Sequence, residues 1–147
     1  FRIADQQGVS ESNNPFLKDE YQAIETLFRS VEAAEQARDI SGFYWLERPG
    51  DFSGMQVQPG EQVSIIYTGR FLNGRLLEQS NDTFDFIYGT PDQVLKGVNY
   101  VIGYLKPGQS AKIILPSRLA FGEQGSSNGT VPPRTPLVYE VTLVDKR

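Results

Sequence analysis

Cysteine and histidine are both absent from this sequence of 147 residues. Their absence excludes Ser/His/Asp triads, Cys/His nucleophiles, zinc sites built on these side chains and thiol redox chemistry. A metal ion would have to rest on oxygen ligands alone.

The sequence also lacks a surplus of positive charge and long apolar runs. Lys and Arg number 14 against 18 Asp and Glu, a net charge of −4, so there is no basic excess to bind nucleic acid by releasing counterions. The apolar runs are too short to cross a bilayer. Hydrophobic residues make up 39% of the chain, which is enough for the core of one domain. Because the chain begins with Phe1 rather than Met, we expect either a processed product or a trimmed chain, and a targeting segment could have been removed upstream.

Acidic charge is concentrated at the N-terminal end, where residues 1–40 hold eight acids and four bases. Residues 1–12 have little to bury, and we expect a flexible leader. Residues 13–40 are predicted to form an amphipathic helix that begins at Asn14-Pro15 and ends near Asp39. Its apolar stripe consists of Leu17, Tyr21, Ile24, Phe28 and Val31. The stripe must pack on the rest of the chain or on a second copy, and the length of the helix favours a homodimer.

From about residue 41 the apolar pattern changes from helical to alternating, which indicates a separate domain over 41–147. Asn73-Gly74 predicts a hairpin with a type I′ turn. Thr90 and Pro91 predict the start of a short helix, which Pro107-Gly108 closes. Several antiparallel strands with one short helix indicate an α+β fold.

Seven motifs, in the same order along the chain, resemble the FKBP family of peptidyl-prolyl isomerases. They lie at Val63–Gly69, Phe84–Gly89, Val94–Gly97, Leu105–Gly108, Leu115–Gly122, Val131–Pro133 and Leu137–Val141. The resemblance covers residues 42–145 and implies an antiparallel half-barrel wrapped around one short helix. It also implies an apolar pocket that accepts the proline ring of a polypeptide substrate, and chemistry that needs no nucleophile, no metal and no other cofactor. Such a pocket can lower the barrier of about 18 to 20 kcal/mol for X-Pro rotation, because a dry cavity favours the twisted amide over the better solvated planar one.

The resemblance also assigns roles to individual positions. It implies catalytic roles for Tyr67, Glu78 and Phe121, and substrate-binding roles for Leu77, Phe84, Val94, Leu95, Val98, Val131 and Tyr139. Five of these depart from the family pattern, in which Leu77-Glu78 is Phe-Asp, Val98 is tryptophan, Phe121 is tyrosine and Tyr139 is phenylalanine. Phe121 cannot donate the hydroxyl hydrogen bond of the family tyrosine. We therefore expect reduced isomerase activity, leave the binding of macrolide inhibitors open, and expect a different partner for Glu78.

Two other functions compete with this interpretation. The altered pocket could belong to a peptide-binding or chaperone module with little catalysis, and Asp82 with Asp85 could serve a carboxylate hydrolase. The position of the two aspartates, at a turn and on an exposed strand face, argues against the hydrolase. We favour the isomerase, and the changes at Leu77, Val98 and Phe121 keep the binding module as its alternative. Residues 42–46, after an acidic helix, are similar to bacterial envelope lipoproteins of the family. This similarity predicts a periplasmic location with a signal and a lipidated cysteine upstream.

Overall fold

A computed structural model describes residues 15–29, 37–39, 41–50 and 56–147 of the chain. The predicted leader, residues 1–12, lies outside the described residues. The described residues form helix α1 (Pro15–Arg29), strands β1 (Ala37–Arg38), β2 (Tyr44–Glu47), β3 (Gln62–Phe71), β4 (Leu76–Gln79) and β5 (Phe84–Ile87), helix α2 (Lys96–Ile102), strand β6 (Ser110–Leu115), a 3-10 helix (Ser117–Leu119) and strand β7 (Leu137–Lys146). The predicted α+β class is confirmed.

The strands form one antiparallel sheet in the order β1-β2-β6-β7-β3-β4, and β5 also pairs with β3. The main core lies between this sheet and α2, whose Val98, Val101 and Ile102 are buried. The predicted alternation is confirmed in β3, where Val63, Ile65 and Phe71 are buried in that core.

Helix α1 packs on the opposite face of the sheet from α2. Ile24 and Phe28 are 0% and 6% exposed, and they form a second cluster with Tyr44, Leu46, Ile114 and Val138 of β2, β6 and β7. The Phe28 and Tyr44 rings meet edge to face at 5.1 Å between centroids. These two residues of the stripe therefore pack on their own domain, the alternative that the sequence left open beside a dimer. The side chain of Leu17, and all of Val31, fall outside the description.

The predicted end of the N-terminal helix near Asp39 is wrong. Ala37 and Arg38 form β1, which pairs with Trp45 and Tyr44 of β2. The predicted domain boundary at residue 41 therefore cuts through the sheet. The sequence pattern does not predict strand β2, because both of its faces are buried. Tyr44 and Leu46 lie under α1, and Trp45 lies in the main core. A strand buried on both faces shows no alternation of apolar and polar residues.

Two local turn predictions also need correction. The β3–β4 hairpin forms as predicted, but only Gly74 has a positive φ, of 93°, and Asn73 does not. A type I′ turn needs positive φ at both central residues, so this loop is a type I turn followed by a glycine bulge. Helix α2 begins at Lys96 rather than at Thr90-Pro91, because Asp92 has a φ of 64° and cannot continue a helix.

The described ranges contain two α-helices, α1 and α2. Neither helix there has the length and apolar character needed to cross a bilayer.

Candidate functional site

A cavity of about 410 Å³ opens between the sheet and α2. This volume lies within the usual range for small-ligand sites. Its walls come from three strands, from α2 with the segment before it, and from the loop after the 3-10 helix. The lining residues are Tyr67, Glu78, Asp92, Gln93, Val94, Leu95, Lys96, Val98, Ala120, Phe121 and Tyr139.

One register row of the sheet builds the polar corner of this cavity. Gly69 of β3 pairs with Tyr139 of β7 on one side and with Glu78 of β4 on the other. Because Gly69 has no side chain, the Tyr139 ring lies over it; a Cβ at residue 69 would come within 2.5 Å of the ring carbon Cζ. From this position the Tyr139 hydroxyl donates a hydrogen bond to the Glu78 carboxylate. In this structure Tyr139 is thus a hydrogen-bond partner of Glu78.

Tyr139 is only 1% exposed. Burial, the hydrogen bond to Glu78 and the negative charge of that carboxylate all raise the pKa of its hydroxyl, in that order. The group therefore stays protonated at neutral pH and acts as a donor to Glu78. Glu78 is itself exposed at the cavity edge, with its carboxylate tied to the interior through this one bond.

Tyr67 stands beside this pair, with its ring centroid 6.3 Å from that of Tyr139. Its backbone is fixed by Ser80, whose Oγ accepts from the Tyr67 N–H at 2.9 Å and whose own N–H donates to the Tyr67 carbonyl at 2.9 Å. Burial, followed by the charge of Glu78, raises the pKa of the Tyr67 hydroxyl. Among the described residues, this hydroxyl has no hydrogen-bond partner, so it remains a protonated donor on the cavity wall.

The apolar part of the cavity faces these tyrosines. Val98 of α2 is 3% exposed, and Val94 and Leu95 pack against the core just before α2 begins. Phe121 is half-buried in the loop after the 3-10 helix and supplies an aromatic wall without a hydroxyl. No described carbonyl or side chain accepts a hydrogen bond from the Leu95 N–H. The cavity therefore combines an apolar floor with a few donors at its rim.

Seven of the ten predicted site residues line the cavity: Tyr67, Glu78, Val94, Leu95, Val98, Phe121 and Tyr139. The remaining three, Leu77, Phe84 and Val131, do not line it. Leu77 and Phe84 are half-buried and pack against the core beside the cavity, and Val131 is 2% exposed in that core. Direct lining by these three is thus not observed.

Sequence reasoning missed four lining residues, Asp92, Gln93, Lys96 and Ala120. Asp92 and Gln93 were assigned to the first turn of a helix that begins later. Pro91-Asp92 is also a turn signal, and it is the feature of the sequence that indicates a turn rather than a helix at this point.

Carboxylate chemistry finds no support at this site. Asp82 and Asp85 are both exposed, and neither lines the cavity. Within the described ranges, no group of three or more carboxylates could hold a metal ion.

Residues 54–144 match the family profile described as FKBP-type peptidyl-prolyl cis-trans isomerase. The match takes in every residue that lines the cavity and strands β3 to β6 with most of β7. It defines the class of this protein as a peptidyl-prolyl isomerase. More narrowly, the chain belongs to the FKBP-type family of these enzymes.

Curated relatives agree with this assignment. The chain is 34% identical over 100 residues to the peptidyl-prolyl cis-trans isomerase FPR2 of Saccharomyces cerevisiae, covering 62% of this chain and 69% of that protein. It is 31% identical over 93 residues to an FK506-binding protein of Neisseria meningitidis, covering 62% of this chain and 84% of that protein. Relatives therefore include bacterial members.

Solved structures share the fold. A peptidyl-prolyl cis-trans isomerase from Pseudomonas syringae superposes with a TM-score of 0.70 at 23% identity, covering 98% of both chains. FkpA from Escherichia coli gives a TM-score of 0.73 at 22% identity over 90% of this chain and 62% of that one. The similarity to both extends beyond the residues of the family match.

Proposed function

We propose that the cavity between α2 and the sheet is the site at which this isomerase binds and twists X-Pro amides. The observation that supports the proposal most directly is an apolar floor, formed with Val98 and Phe121, beside the hydroxyl of Tyr67, which has no hydrogen-bond partner among the described residues. The floor receives the proline ring. The Tyr67 hydroxyl then donates a hydrogen bond to a carbonyl of the bound segment.

Catalysis follows from this arrangement without a nucleophile. Rotation about the X-Pro bond removes amide resonance, so the twisted amide is less polar than the planar one and loses less solvation in a dry cavity. The Leu95 N–H can hold the backbone next to the proline. Glu78, kept in place by Tyr139, polarises the Tyr67 side of the pocket. Each tenfold of acceleration requires about 1.4 kcal/mol of preference for the twisted form.

We infer reduced rather than absent activity from the departures at Val98 and Phe121. Both make the aromatic surface of the pocket smaller or less polar than in the family pattern. Leu77, Phe84 and Val131 then support the walls from behind. The alternative, an FKBP-fold peptide-binding or chaperone module with weak catalysis, would bind proline peptides at this cavity with little turnover.

The deciding experiment compares Tyr67→Phe and Tyr67→Ala with the intact chain in a protease-coupled assay on short X-Pro peptides. We expect a loss of several-fold for the first, the effect of one neutral hydrogen bond of about 1 kcal/mol, and a larger loss for the second. Tyr100→Phe is the matched control, because Tyr100 is 43% exposed on α2 and does not line the cavity. Equal activity in all four proteins would contradict the assignment.

Chemical-shift mapping with a proline peptide tests the site independently of turnover. Perturbation of Tyr67, Val98 and Phe121 is expected. Chemical-shift changes confined to α1 would contradict this assignment of the site. Changes at the cavity in a protein without isomerase activity would favour the binding-module alternative.

We propose assistance to protein folding in a bacterial envelope as the setting of this activity. Bacterial relatives and the similarity of residues 42–46 to envelope lipoproteins support the location. Recovery of the protein in the periplasmic or membrane fraction tests it, and recovery in the cytosol would overturn it. Macrolide binding at the same cavity is tested by competition with the proline peptide.

A homodimer through the N-terminal helix is a weaker proposal. The buried positions of Ile24 and Phe28 against their own sheet remove part of the surface on which it would rest. Sedimentation of the intact chain decides between a monomer and a dimer.

A further inference from the structure

Helix α1 carries a buried acidic residue that points into the isomerase domain. Glu20 is 6% exposed, and its carboxylate accepts two hydrogen bonds from Ser117, one from the backbone N–H at 2.5 Å and one from Oγ at 2.9 Å. Ser117 is itself 5% exposed. The contact joins residues that are 97 positions apart in the sequence.

Ser117 begins the 3-10 helix that leads into the cavity wall. Its carbonyl oxygen accepts the N–H of Ala120 at 2.9 Å and the N–H of Gly122 at 2.7 Å. These two amides flank Phe121, and both Ala120 and Phe121 line the cavity. Ser117 therefore links α1 to the cavity wall. Its N–H and Oγ donate to Glu20 of α1, and its carbonyl oxygen accepts from the amides on both sides of Phe121.

A buried carboxylate is a costly way to attach a helix. Burial raises the pKa of Glu20, and only the two bonds from Ser117 and the charges of Arg118 and Arg134 act against it. Apolar packing of Ile24 and Phe28 already holds α1 on the sheet. Residue 20 also lies outside residues 54–144, which match the family, so this contact is an addition to the matched domain.

We propose that Glu20 is a positioning residue for the cavity wall: through Ser117 it fixes the backbone on both sides of Phe121 and so sets how tightly a proline segment fits. The inference rests on the proposed role of this cavity. Loss of the two bonds lets the loop at Ala120 and Phe121 relax away from α2. Misplacement of a binding wall by about 1 Å can cost up to about a hundredfold in rate.

The test uses the intact chain with Glu20→Ala, Glu20→Gln and Ser117→Ala. Glu20→Ala removes both bonds, Glu20→Gln keeps one acceptor oxygen, and Ser117→Ala keeps the backbone donor. We expect kcat/KM for X-Pro peptides to fall about tenfold in Glu20→Ala, mainly through KM, with the other two variants between it and the original protein. Backbone amide resonances of Ala120 and Gly122 should shift and exchange faster with solvent in the same order.

Two controls separate positioning from a general effect on stability. Glu123→Gln removes an exposed carboxylate from the same loop, and Ile24→Val loosens the packing of α1 without touching Glu20. Both should leave kcat/KM and the two amides unchanged, although Ile24→Val lowers the melting temperature.

Several outcomes would overturn the inference. Unchanged kcat/KM and unchanged amides in folded Glu20→Ala would do so, as would an equal loss of kcat/KM in Ile24→Val. Should Glu20→Ala not fold, Glu20→Gln and Ser117→Ala carry the same comparison. Should the original protein lack turnover, the proposed function fails, while the affinity of a proline peptide and the two amides still decide the role of Glu20.

Discussion

The shape of the cavity depends on a residue that has no side chain. Gly69 has an ordinary strand conformation, so its backbone could accommodate any residue; what it supplies is the space over which the Tyr139 ring lies. This space allows a side chain on β7 to reach a carboxylate on β4, across the whole width of β3. The polar corner of the site is therefore a product of three strands and cannot be attributed to one side chain.

Gly69→Ala should destabilise the protein, although alanine is usually the better strand residue. Replacing glycine in a strand gains about 0.5 to 1 kcal/mol, but the new Cβ would sit 2.5 Å from a buried ring, and overpacking costs about 1 to 3 kcal/mol. The cost of the clash should exceed the gain, so the free energy of unfolding should fall. The Tyr139–Glu78 hydrogen bond and the isomerase activity should be lost as well. Urea unfolding measures the first effect and the peptide assay the second. Gly50→Ala is the control and should be neutral, because a Cβ at residue 50 would have no neighbouring atom within 4 Å and the residue has no positive φ. A stable, active Gly69→Ala protein would show that the Tyr139 ring can move aside.

Phe121→Tyr should raise activity several-fold. The new hydroxyl would add one neutral hydrogen bond to the bound peptide, a contribution on the order of 1 kcal/mol. The protease-coupled assay measures the change, and Phe121 is half-buried at the cavity, so the ring itself should fit. An active protein in which this substitution changes nothing would remove Phe121 from the site.

At the residue scale, the sequence predicted most of the cavity, because family resemblance fixes which strand positions face inward. It could not predict the partner of Glu78, since that depends on the register of three strands that are distant in the sequence. Nor could it predict the role of Glu20, because its partner Ser117 lies in the 3-10 helix, 97 positions further along the sequence.

Among the elements, helix α1 and strand β1 show what the spacing of apolar residues can and cannot predict. The spacing of Ile24 and Phe28 predicted a helix, and the structure confirms it over Pro15–Arg29. The same periodicity carried the prediction too far, since Ala37-Arg38 adds to the sheet edge beside β2. The pairing of β1 with β2 is a tertiary contact, and the spacing of apolar residues within one helix cannot predict it.

The attachment of α1 should depend on pH. Burial holds the pKa of Glu20 above the ordinary value of 4.5, so the folded state binds its proton more tightly than the unfolded state does. The stability of the original protein relative to Glu20→Gln should therefore be greatest below pH 4.5 and fall as pH rises through the folded-state pKa. Urea unfolding of both proteins across this range measures the difference, in which all other carboxylates cancel. A difference that grows with pH would mean that the bonds from Ser117 outweigh burial.

For the molecule as a whole, the sheet is covered on both faces, by α2 and the core on one and by α1 on the other. Four apolar side chains of the outer face, Tyr44, Leu46, Ile114 and Val138, are buried beneath α1. We therefore expect the isomerase domain and the helix before it to unfold together, rather than as a domain with an independent appendage.

A chain that starts at Ser41 should therefore self-associate or precipitate. Removing α1 and β1 exposes this apolar face and leaves Ser117 without Glu20, and soluble monomers seldom expose contiguous patches of several hundred Å². Sedimentation of the shortened and intact chains makes the comparison. Phe28→Asp in the intact chain should produce a milder form of the same behaviour. A shortened chain that is monomeric and equally stable would show that α1 is dispensable for the fold.

The single tryptophan of the sequence determines what intrinsic fluorescence can measure in this protein. Trp45 is 3% exposed in β2, with the rings of Phe43 and Tyr104 at 4.9 and 5.5 Å, and it does not line the cavity. Its emission should therefore be blue in the native protein, shift to the red when the sheet opens, and stay unchanged while a peptide binds. Intrinsic fluorescence is thus a clean probe of unfolding here, and an assay of ligand affinity needs a label on the peptide.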